Sequence, residues 1–345
     1  ELRAGSHLRS LFLNAADDSL PQALSTTPAG SSFLSKLDAY RKDFGHQVFS
    51  FDLLMPTLGE QPEPTFQVLR SYLSQELPDP AEVLAEQARK RQEAVAQVMK
   101  AIGSWPEADA ETFRALLNWH QICASIREDI AFHFQKLWPL MRAGVLELGR
   151  RLERAGALDA SDLVFFLTKD ELWMAAGEPA GQRSKVGSFT SLARERREAW
   201  ERQRRLSPPD RIPPPQDSAW AETGRMFGQY GLQRGDDGPV LMGHGASPGR
   251  VTAPARVMRS MADFGGLKRG EVLVTVAASP AWTALFALAS AVVTEIGGGA
   301  THSSMVAREF GIPAVMGTGV ATQEIVDGQL ITVDGTNGVV YLQGR

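Results

Sequence analysis

Apolar side chains in the first 206 residues recur at steps of three and four, the spacing that places them on one side of an α-helix. One stripe predicts a long helix from near Pro106 to Pro139, where the proline should end or kink it. Asp79-Pro80-Ala81-Glu82 predicts an earlier helix start, with an N-cap acid, a proline at the first position and an acid in the first turn. The stripe consists of Phe113, Leu116, Leu117, Cys123, Ile130, Phe134 and Leu137.

The rest of this half is also predicted to be mainly helical. Helix should resume beyond the proline and stop at Gly156, and 162–168 reads as a short strand or extended segment. Thr168 and Glu171 form a capping-box pattern for another helix, and a basic helix follows over about 189 to 206. Core positions are predicted for Cys123, Trp119, Trp138 and Trp173, although the tryptophans could instead line an apolar pocket.

From residue 238 the pattern changes to short apolar runs separated by turn residues, which predict β-strands with short helices at about 280–289 and 303–310. Residues 207–237 are dense in proline and then in glycine, which predicts a tether that spaces and swings two domains, 1–206 and 238–345. The predicted strands lie in PVLMG (239–243), RVTAPARVM (250–258), EVLVTV (271–276), SAVVTE (290–295), IPAVMG (312–317), QLITVDG (329–335) and GVVYL (338–342).

Length and charge narrow the classes of protein. The chain of 345 residues has room for two domains, and its net charge of −4 gives no electrostatic reason to expect a nucleic-acid partner. A single cysteine allows no internal disulfide and no zinc spacing, and favours a cytoplasmic location. With no long apolar run and no signal peptide, we expect no membrane span. The start at Glu1 suggests a fragment of a longer protein.

One loop carries the candidate chemistry, in the stretch TEIGGGATHSSMVAREFGIPAVMG (294–317). Its glycines permit positive φ and close approach, and the helix that follows offers N-terminal N–H groups to an anion. A neutral imidazole at His302 can attack phosphorus and carry the phosphoryl group as a phosphoramidate. The alternative is a turn histidine without chemistry. The other loop residues are Gly297, Gly298, Gly299, Thr301 and Ser303.

The run GGGATHSSMVAREFGIPAVMG resembles the phosphohistidine signature of the phosphoenolpyruvate-utilising enzymes, which include pyruvate phosphate dikinase, phosphoenolpyruvate synthase and rifampin phosphotransferase. GASPGRVTAPARVM (245–258) and VLVTVAASPAWTALFALASAVVTE (272–295) resemble other parts of the same swivelling domain, so the resemblance covers nearly all of 240–345. It implies that His302 is the phosphoryl carrier. It also implies that the phosphate is steadied by Thr301, Ser303 and Arg308. Departures at Ala300 and Ser304-Met305 remove no reactive group.

Three earlier segments resemble the acceptor domain of rifampin phosphotransferase-type proteins, a layout shared by the condensing enzymes of prodigiosin-type pigment assembly. They are DFGHQVFSFDLLMPTLGEQPEP (43–64), GRRLERAGALDASDLVFFLTKDEL (149–172) and RREAWERQRRLSPP (196–209), and Gln47 departs from the frequent arginine. Too few residues follow the last predicted strand for the (β/α)8 barrel of some members. No Walker motif or nucleotide-grasp segment is present. The resemblance implies that ATP and Mg²⁺ bind a domain outside this chain, and we expect no cofactor or metal within it.

Five residues of the helical half are candidates for an acceptor pocket. His120 and Arg127 continue the apolar stripe, where an arginine needs an acid partner, a route to solvent or a polar cavity. His46 follows a glycine, so it either ends a helix or performs acid–base chemistry, and Asp52 is equally open. The resemblance makes Arg197 the first choice in the basic helix to meet a phosphohistidine, and the alternative is a solvated helix face.

The sequence therefore predicts a multidomain α plus α/β protein, in which a helical acceptor domain precedes a compact β/β/α phosphohistidine swivelling domain. The predicted activity is ATP-dependent phosphotransfer to a small-molecule acceptor, bulky and apolar if aromatic residues line its pocket. The alternatives are a segment of a phosphorylation-activated condensing ligase and a non-catalytic regulatory module. The expected partners are the acceptor and a nucleotide-binding domain, in cis or in another chain, with no nucleic acid and no membrane.

Overall fold

The computed structural model describes residues 6–74, 79–177, 187–204, 206, 231–235 and 238–343. We call 6–204 the helical region and 231–235 together with 238–343 the sheet region. The helical region also contains a 3₁₀ helix, Ser161–Phe166. Its α-helices are α1 (Ser6–Asn14), α2 (Leu20–Ser25), α3 (Pro28–Phe44), α4 (Glu63–Ser74), α5 (Pro80–Ile102), α6 (Glu107–Phe134), α7 (Leu137–Arg154), α8 (Lys169–Gly177) and α9 (Gly187–Gln203).

Side-chain caps determine where two of these helices begin. Asp79 Oδ1 accepts a hydrogen bond from the Ala81 N–H at 2.8 Å, and Pro80 is the first helical residue, so the predicted start is confirmed. At α3, the Thr27 hydroxyl oxygen accepts from the Gly30 N–H at 3.0 Å. Each cap satisfies an N–H group that has no partner within its own helix.

The prediction of a strand at 162–168 is wrong. Residues Ser161–Phe166 form a 3₁₀ helix, and Leu163 and Val164 are buried in a cluster with α7 and α9. A short buried apolar run fits a strand or a helix equally well, so periodicity cannot separate them. The capping box beside it is confirmed, because Thr168 N donates to Glu171 Oε2 at 2.7 Å and Glu171 N donates to the Thr168 hydroxyl at 3.3 Å.

The long predicted helix is two helices, because α6 ends at Phe134 and α7 begins at Leu137. Pro139 lies in the first turn of α7, where its missing N–H needs no intrahelical partner. The chain turns at Gln135, whose buried Oε1 accepts from the Val48 N–H at 2.9 Å. This bond ties the segment after α3 to the junction of α6 and α7.

The sheet region is built on a nine-stranded mixed sheet in the order β1-β2-β9-β8-β4-β5-β6-β7-β3, in which β4 to β7 run parallel. All seven predicted strands are confirmed, and β1 and β3 are additional. The strands are β1 (Gly231–Gly235), β2 (Gly238–Met242), β3 (His244–Ser247), β4 (Arg250–Met258), β5 (Val272–Thr275), β6 (Ala291–Thr294), β7 (Ala314–Met316), β8 (Leu330–Asp334) and β9 (Val339–Leu342).

Short helices connect these strands. They are the 3₁₀ helices Met261–Gly266 and Pro280–Trp282, together with α10 (Thr283–Phe286), α11 (His302–Phe310) and α12 (Ala321–Glu324). The helices expected near 280–289 and 303–310 are therefore confirmed. Strand β1 lies inside the predicted linker, and the rest of that linker, 207–230 and 236–237, lies outside the described residues.

Successive residues of the central strands belong to two different hydrophobic cores, one on each face of the sheet. Val272 and Val293 belong to a cluster enclosed by the sheet, while Leu273 and Val292 pack against the helices on the other face. All four are 0% exposed. Central strands that are buried on both faces read as continuous apolar runs, which is why the sequence predicted them correctly.

Most of the predicted apolar stripe of α6 is exposed. Ala110 is buried, but Leu116 is 63% and Ile130 is 62% exposed. Amphipathic spacing determines which residues share one side of a helix, not whether another element covers that side. Three residues predicted to lie in the core are exposed in the structure, so these predictions are wrong. They are Cys123, Trp119 and Trp173.

The two regions pack together beside α4. Val68 of α4 is part of the buried cluster of the sheet region, and the Phe49 ring lies 5.6 Å from the ring of Phe264. The Ser279 hydroxyl donates to the Val48 carbonyl at 3.1 Å. These contacts hold the segments after β4 and β5 against the helical region. Within the described residues, no helix combines the length and apolar character that a membrane crossing requires.

Candidate functional site

Two adjacent parallel strands bring His302 and Thr283 together. His302 is the first residue of α11 and follows the loop that leaves β6, whereas Thr283 begins α10 after β5. Because the carboxyl ends of neighbouring parallel strands lie at one edge of a sheet, residues that follow them can meet. Nε2 of His302 lies 3.1 Å from Oγ1 of Thr283.

The other ring nitrogen of His302 faces the helical region. Its Nδ1 lies 2.6 Å from Oε2 of Glu128 on α6. An ionised carboxylate only accepts hydrogen bonds, so Nδ1 carries the proton and donates it. The neutral ring then has its lone pair on Nε2. The Thr283 hydroxyl donates a hydrogen bond to this nitrogen. The His302 side chain is 25% exposed, so a reactant can reach it.

Glu128 is held in its ionised form by two partners. Arg127 donates to Oε1 through Nη2 at 2.8 Å and through Nε at 3.2 Å. Burial raises the pKa of Glu128, but hydrogen bonds from Arg127 and His302 outweigh it, so the pKa lies below its usual value. The carboxylate is therefore negative at neutral pH and favours the tautomer protonated on Nδ1.

Arg127 is the candidate from the helical half that reaches the loop. Its guanidinium donates to the Ala300 carbonyl and also contacts the sulfur of Met305. The acid partner that an arginine on the apolar stripe requires is the next residue, Glu128. Arg127 thus holds both the Glu128 carboxylate and the loop through hydrogen bonds.

The glycines allow the loop to pack closely on the end of β7. Gly297 has a φ of 131°, a conformation that favours glycine. A Cβ atom at Gly317 would lie 2.5 Å from the Gly297 carbonyl oxygen, so a side chain there would displace the loop. His244 is the first residue of β3, and its ring lies beside Gly298.

The residues predicted to steady a phosphate all brace the loop in this arrangement. The Thr301 hydroxyl donates to the Gly298 carbonyl at 3.1 Å, and the buried Ser303 hydroxyl donates to a backbone carbonyl at 2.9 Å. Arg308 donates to the Gly299 carbonyl. They hold the shape of the loop, and their contact with a phosphate stays a prediction.

A cavity of about 760 Å³ opens beside His302, and Glu128 and Thr283 also lie in its wall. Most of the remaining wall is aromatic or aliphatic. Tyr40 stacks on Phe44 with ring centroids 5.0 Å apart. Lys36, Gln47, Thr65 and Asp129 add polar groups. A mainly apolar cavity with a few polar groups fits a bulky apolar molecule that presents a polar atom to His302.

Two other candidates lie near this cavity but not in its wall. His46 Nε2 lies 3.1 Å from the Phe132 carbonyl oxygen, and burial, the largest influence, lowers the pKa of His46. The Asp52 carboxylate accepts from the Leu54 N–H at 2.9 Å and so shapes its own turn. Neither residue contacts His302 in the described structure.

The last two candidates lie on helix surfaces. His120 is exposed on α6. Arg197 on α9 forms ion pairs with Asp162 at 3.1 Å and with Glu201 at 3.3 Å. Neither residue lines the cavity. Of the candidates in the helical half, Arg127 contacts the His302 loop, and His120 and Arg197 do not.

Sequence reasoning missed Glu128 and Thr283, the two side chains that contact the His302 ring. One local signal pointed to Glu128, because a charged pair with Arg127 interrupts the stripe of α6. Thr283 offered no local signal beyond its place after a predicted strand. Among the described residues, no group of three or more His, Cys, Asp or Glu side chains could hold a metal ion.

Comparison with known families yields two matches. Residues 267–338 match the mobile domain of the PEP-utilising enzymes, and residues 1–128 match the fourth domain of rifampicin phosphotransferase. The first match contains His302 and Thr283, and the second contains Arg127 and Glu128. The resemblance predicted from the sequence is confirmed.

Three relatives illustrate the range of named activities. The chain is similar to rifampicin phosphotransferase of Streptomyces sviceus, with 29% identity over 94% of this chain and 36% of the relative. It is 31% identical to the prodigiosin synthesizing transferase PigC of Serratia marcescens, over 97% of this chain and 36% of the relative. The chain is also 34% identical to chondramide synthase cmdD of Chondromyces crocatus, over 92% of this chain and 8% of the relative. The chain thus spans well under half the length of each.

Proposed function

From the premise that two segments of the chain match the mobile domain of the PEP-utilising enzymes and the fourth domain of rifampicin phosphotransferase, we propose that it is the acceptor-binding and phosphoryl-carrying part of an ATP-dependent phosphotransferase. The observation that carries the proposal is the environment of His302. Its Nδ1 donates to Glu128 at 2.6 Å, and its Nε2 meets Thr283 at the edge of an apolar cavity. A nucleophile, its orienting acid and a binding site for an acceptor therefore lie together.

In the first half-reaction, Nε2 of His302 attacks the phosphorus atom of a phosphoryl donor. An N–P bond forms, the P–O bond to the leaving group breaks, and the leaving oxygen takes the electron pair. The proton stays on Nδ1, and while the ring faces the helical region the Glu128 carboxylate offsets the positive charge on it. The N-terminal N–H groups of α11 move with His302 and add positive potential near the phosphate in either position.

In the second half-reaction, a hydroxyl oxygen of the acceptor attacks the phosphorus. The new P–O bond forms as the N–P bond breaks, and Nε2 recovers its lone pair. The hydroxyl proton passes to solvent, because Glu128 lies beyond Nδ1 on the other edge of the ring and is occupied there by Nδ1 and Arg127. Splitting the transfer in this way lets donor and acceptor bind at separate places.

The cavity supports a bulky, largely apolar acceptor. Aromatic rings such as Tyr40, Phe44 and Phe132 form one wall, and His302 with its partners Glu128 and Thr283 forms a polar end. Burial of an apolar molecule there provides binding energy, while the polar end selects the atom that reacts. His46, Asp52, His120 and Arg197 stay proposed as outer contacts reached by a larger acceptor or by a moving carrier.

The phosphoryl donor is proposed to bind a nucleotide-binding domain, in cis or in another chain, with ATP and Mg²⁺ there. The sheet region would then move between that domain and the helical region, with 207–237 as the tether. The proposed phosphate loop consists of Gly297, Gly298, Gly299, Thr301, Ser303 and Arg308. A cytoplasmic setting, where ATP is abundant, fits the same proposal.

The proposal is tested by replacing His302. The chain is incubated with potassium phosphoramidate, a small-molecule phosphoryl donor, and acid-labile phosphate is followed by ³¹P NMR. We expect His302→Ala to abolish uptake and His7→Ala, at an exposed histidine on α1, to retain it. Uptake that persists in His302→Ala, or that is absent from the unchanged chain, would contradict the carrier role.

A second candidate function is phosphorylation-activated condensation, which the relatives named as a prodigiosin synthesizing transferase and a chondramide synthase favour. His302 would still carry the phosphoryl group, but the phosphorylated acceptor would react with a second molecule. The products distinguish the two functions. A stable phosphoester indicates phosphotransfer, whereas free phosphate with a joined product indicates condensation.

A further inference from the structure

Tyr72 connects the cavity wall with the residue that contacts the reactive nitrogen. It lies on α4, lines the cavity and packs against the core of the sheet region. Its hydroxyl donates a hydrogen bond to the Ala284 carbonyl. Ala284 directly follows Thr283, whose hydroxyl lies 3.1 Å from Nε2 of His302. A short series of contacts thus runs from the helical region to the nucleophile.

The Ala284 carbonyl depends on an outside donor. A helix of four residues, such as α10, cannot satisfy its own carbonyls with N–H groups four residues ahead. The other side of α10 is anchored by Leu285 and Phe286, which are 0% and 2% exposed. Burial raises the pKa of Tyr72 to about 12, so its hydroxyl remains a donor across the neutral range.

This contact joins the two regions, because Tyr72 belongs to the helical region and Ala284 to the sheet region. It can form only while His302 faces the cavity. If the sheet region moves to a phosphoryl donor elsewhere, the bond between Tyr72 and Ala284 must break. The contact is therefore available to the acceptor half-reaction and not to the donor half-reaction.

We propose that Tyr72 is a positioning residue for transfer to the acceptor, because it holds Ala284 and thereby sets the Thr283 hydroxyl against Nε2 of His302. The proposal rests on the carrier role of His302 in the proposed function. Since Tyr72 also lines the cavity, a bound acceptor touches the residue that aligns the nucleophile. Occupancy of the cavity and alignment of the ring are thus coupled through one side chain.

The test observes the ring nitrogen directly, in long-range ¹H–¹⁵N spectra of the histidine side chains. Tyr72→Phe removes the hydroxyl and keeps the packed ring. We expect the Nε2 resonance of His302 to move towards that of a nitrogen that accepts no hydrogen bond. Tyr341→Phe is the matched control, a half-buried tyrosine of β9 that should leave the resonance unchanged.

A double-mutant comparison separates positioning from general effects. Thr283→Val should produce the same shift, and Tyr72→Phe added to Thr283→Val should produce no more. Ser279→Ala removes a different bond between the regions, to Val48, and should leave Nε2 unchanged. A shift that adds in the double variant, or an equal shift in Ser279→Ala, would overturn the positioning role.

Phosphate uptake from phosphoramidate distinguishes the two proposals. If the unchanged chain takes up no phosphate at His302, the proposed function fails. If uptake is normal and Tyr72→Phe leaves the Nε2 resonance in place, the role of Tyr72 alone fails. Unchanged circular dichroism and melting temperature would establish that Tyr72→Phe is folded.

Discussion

The central strands of the sheet region and helix α6 of the helical region differ in how far their apolar residues are buried. Leu273 and Val292 in the central strands are 0% exposed, whereas Leu116 on α6 is 63% exposed. In the sheet region, buried strands hold the His302 loop at a constant place. On the side of the helical region that faces His302, apolar residues line a cavity, and those along most of α6 lie on an open helix face. The difference teaches that a rigid scaffold presents the nucleophile, while the opposing region offers apolar surface for binding.

The largest effect that would sharpen this comparison is on stability. Leu273→Ala should lower the free energy of unfolding by about 2–5 kcal/mol, because it leaves a cavity in a packed core. Leu116→Ala should change it by no more than about 0.5 kcal/mol, since that side chain is already exposed. Urea unfolding followed by circular dichroism measures both. Equal losses would mean that α6 is covered in solution.

Glu128 tests whether the helical region takes part in the chemistry. Glu128→Gln should slow phosphate uptake by His302 on the order of 10²-fold, because the ring loses the carboxylate that offsets its developing charge. An amide can donate as well as accept, so it no longer requires the proton on Nδ1. Asp129→Asn, the neighbouring acid in the cavity wall, is the control. Equal slowing in both variants would point to cavity charge rather than ring orientation.

The glycines offer a matched pair within the sheet region. Gly317→Ala should destabilise the protein by about 1–3 kcal/mol, because its φ of 73° is unfavourable for a side chain. It should also lower phosphate uptake, since the new Cβ would meet the Gly297 carbonyl at 2.5 Å. Gly298→Ala, whose nearest contact would be 3.5 Å away, should fold normally. Thermal melts and ³¹P NMR compare the two, and similar melts would argue against a closely packed loop.

The smallest expected effect is an acid-dependent one in the helical region. Arg196 donates to both oxygens of Glu171 and, as the largest influence, lowers the pKa of Glu171 from 4.5 to about 2. A lowered pKa adds stability above about pH 4.5, and that stability is lost as pH falls towards 2.

Glu171→Gln should therefore cost about 1 kcal/mol at neutral pH, and its melting curve should converge with that of the unchanged chain near pH 2. Glu153→Gln, at an exposed site on α7, is the control and should change little. A constant difference across the whole pH range would show that the loss does not come from the ion pair.

Much of the scaffold followed from local pattern. Buried strands such as β5 and β6 read as apolar runs, and Asp79-Pro80 marked the start of α5, because caps and alternation act within a few residues. The 3₁₀ helix at Ser161–Phe166 and the break at Gln135 escaped prediction. In both, tertiary burial or a bond to a distant backbone overrides local preference.

The sequence by itself determined the helices, the order of the central strands along the chain and the glycine loop that ends at His302. Only the tertiary structure decided that Glu128, 174 positions away, holds Nδ1 and that Thr283 meets Nε2. It also decided that one apolar stripe of α6 stays open while the strands are covered. The physical reason is that local pattern constrains the backbone over a few residues, whereas contacts between distant side chains depend on how whole elements pack.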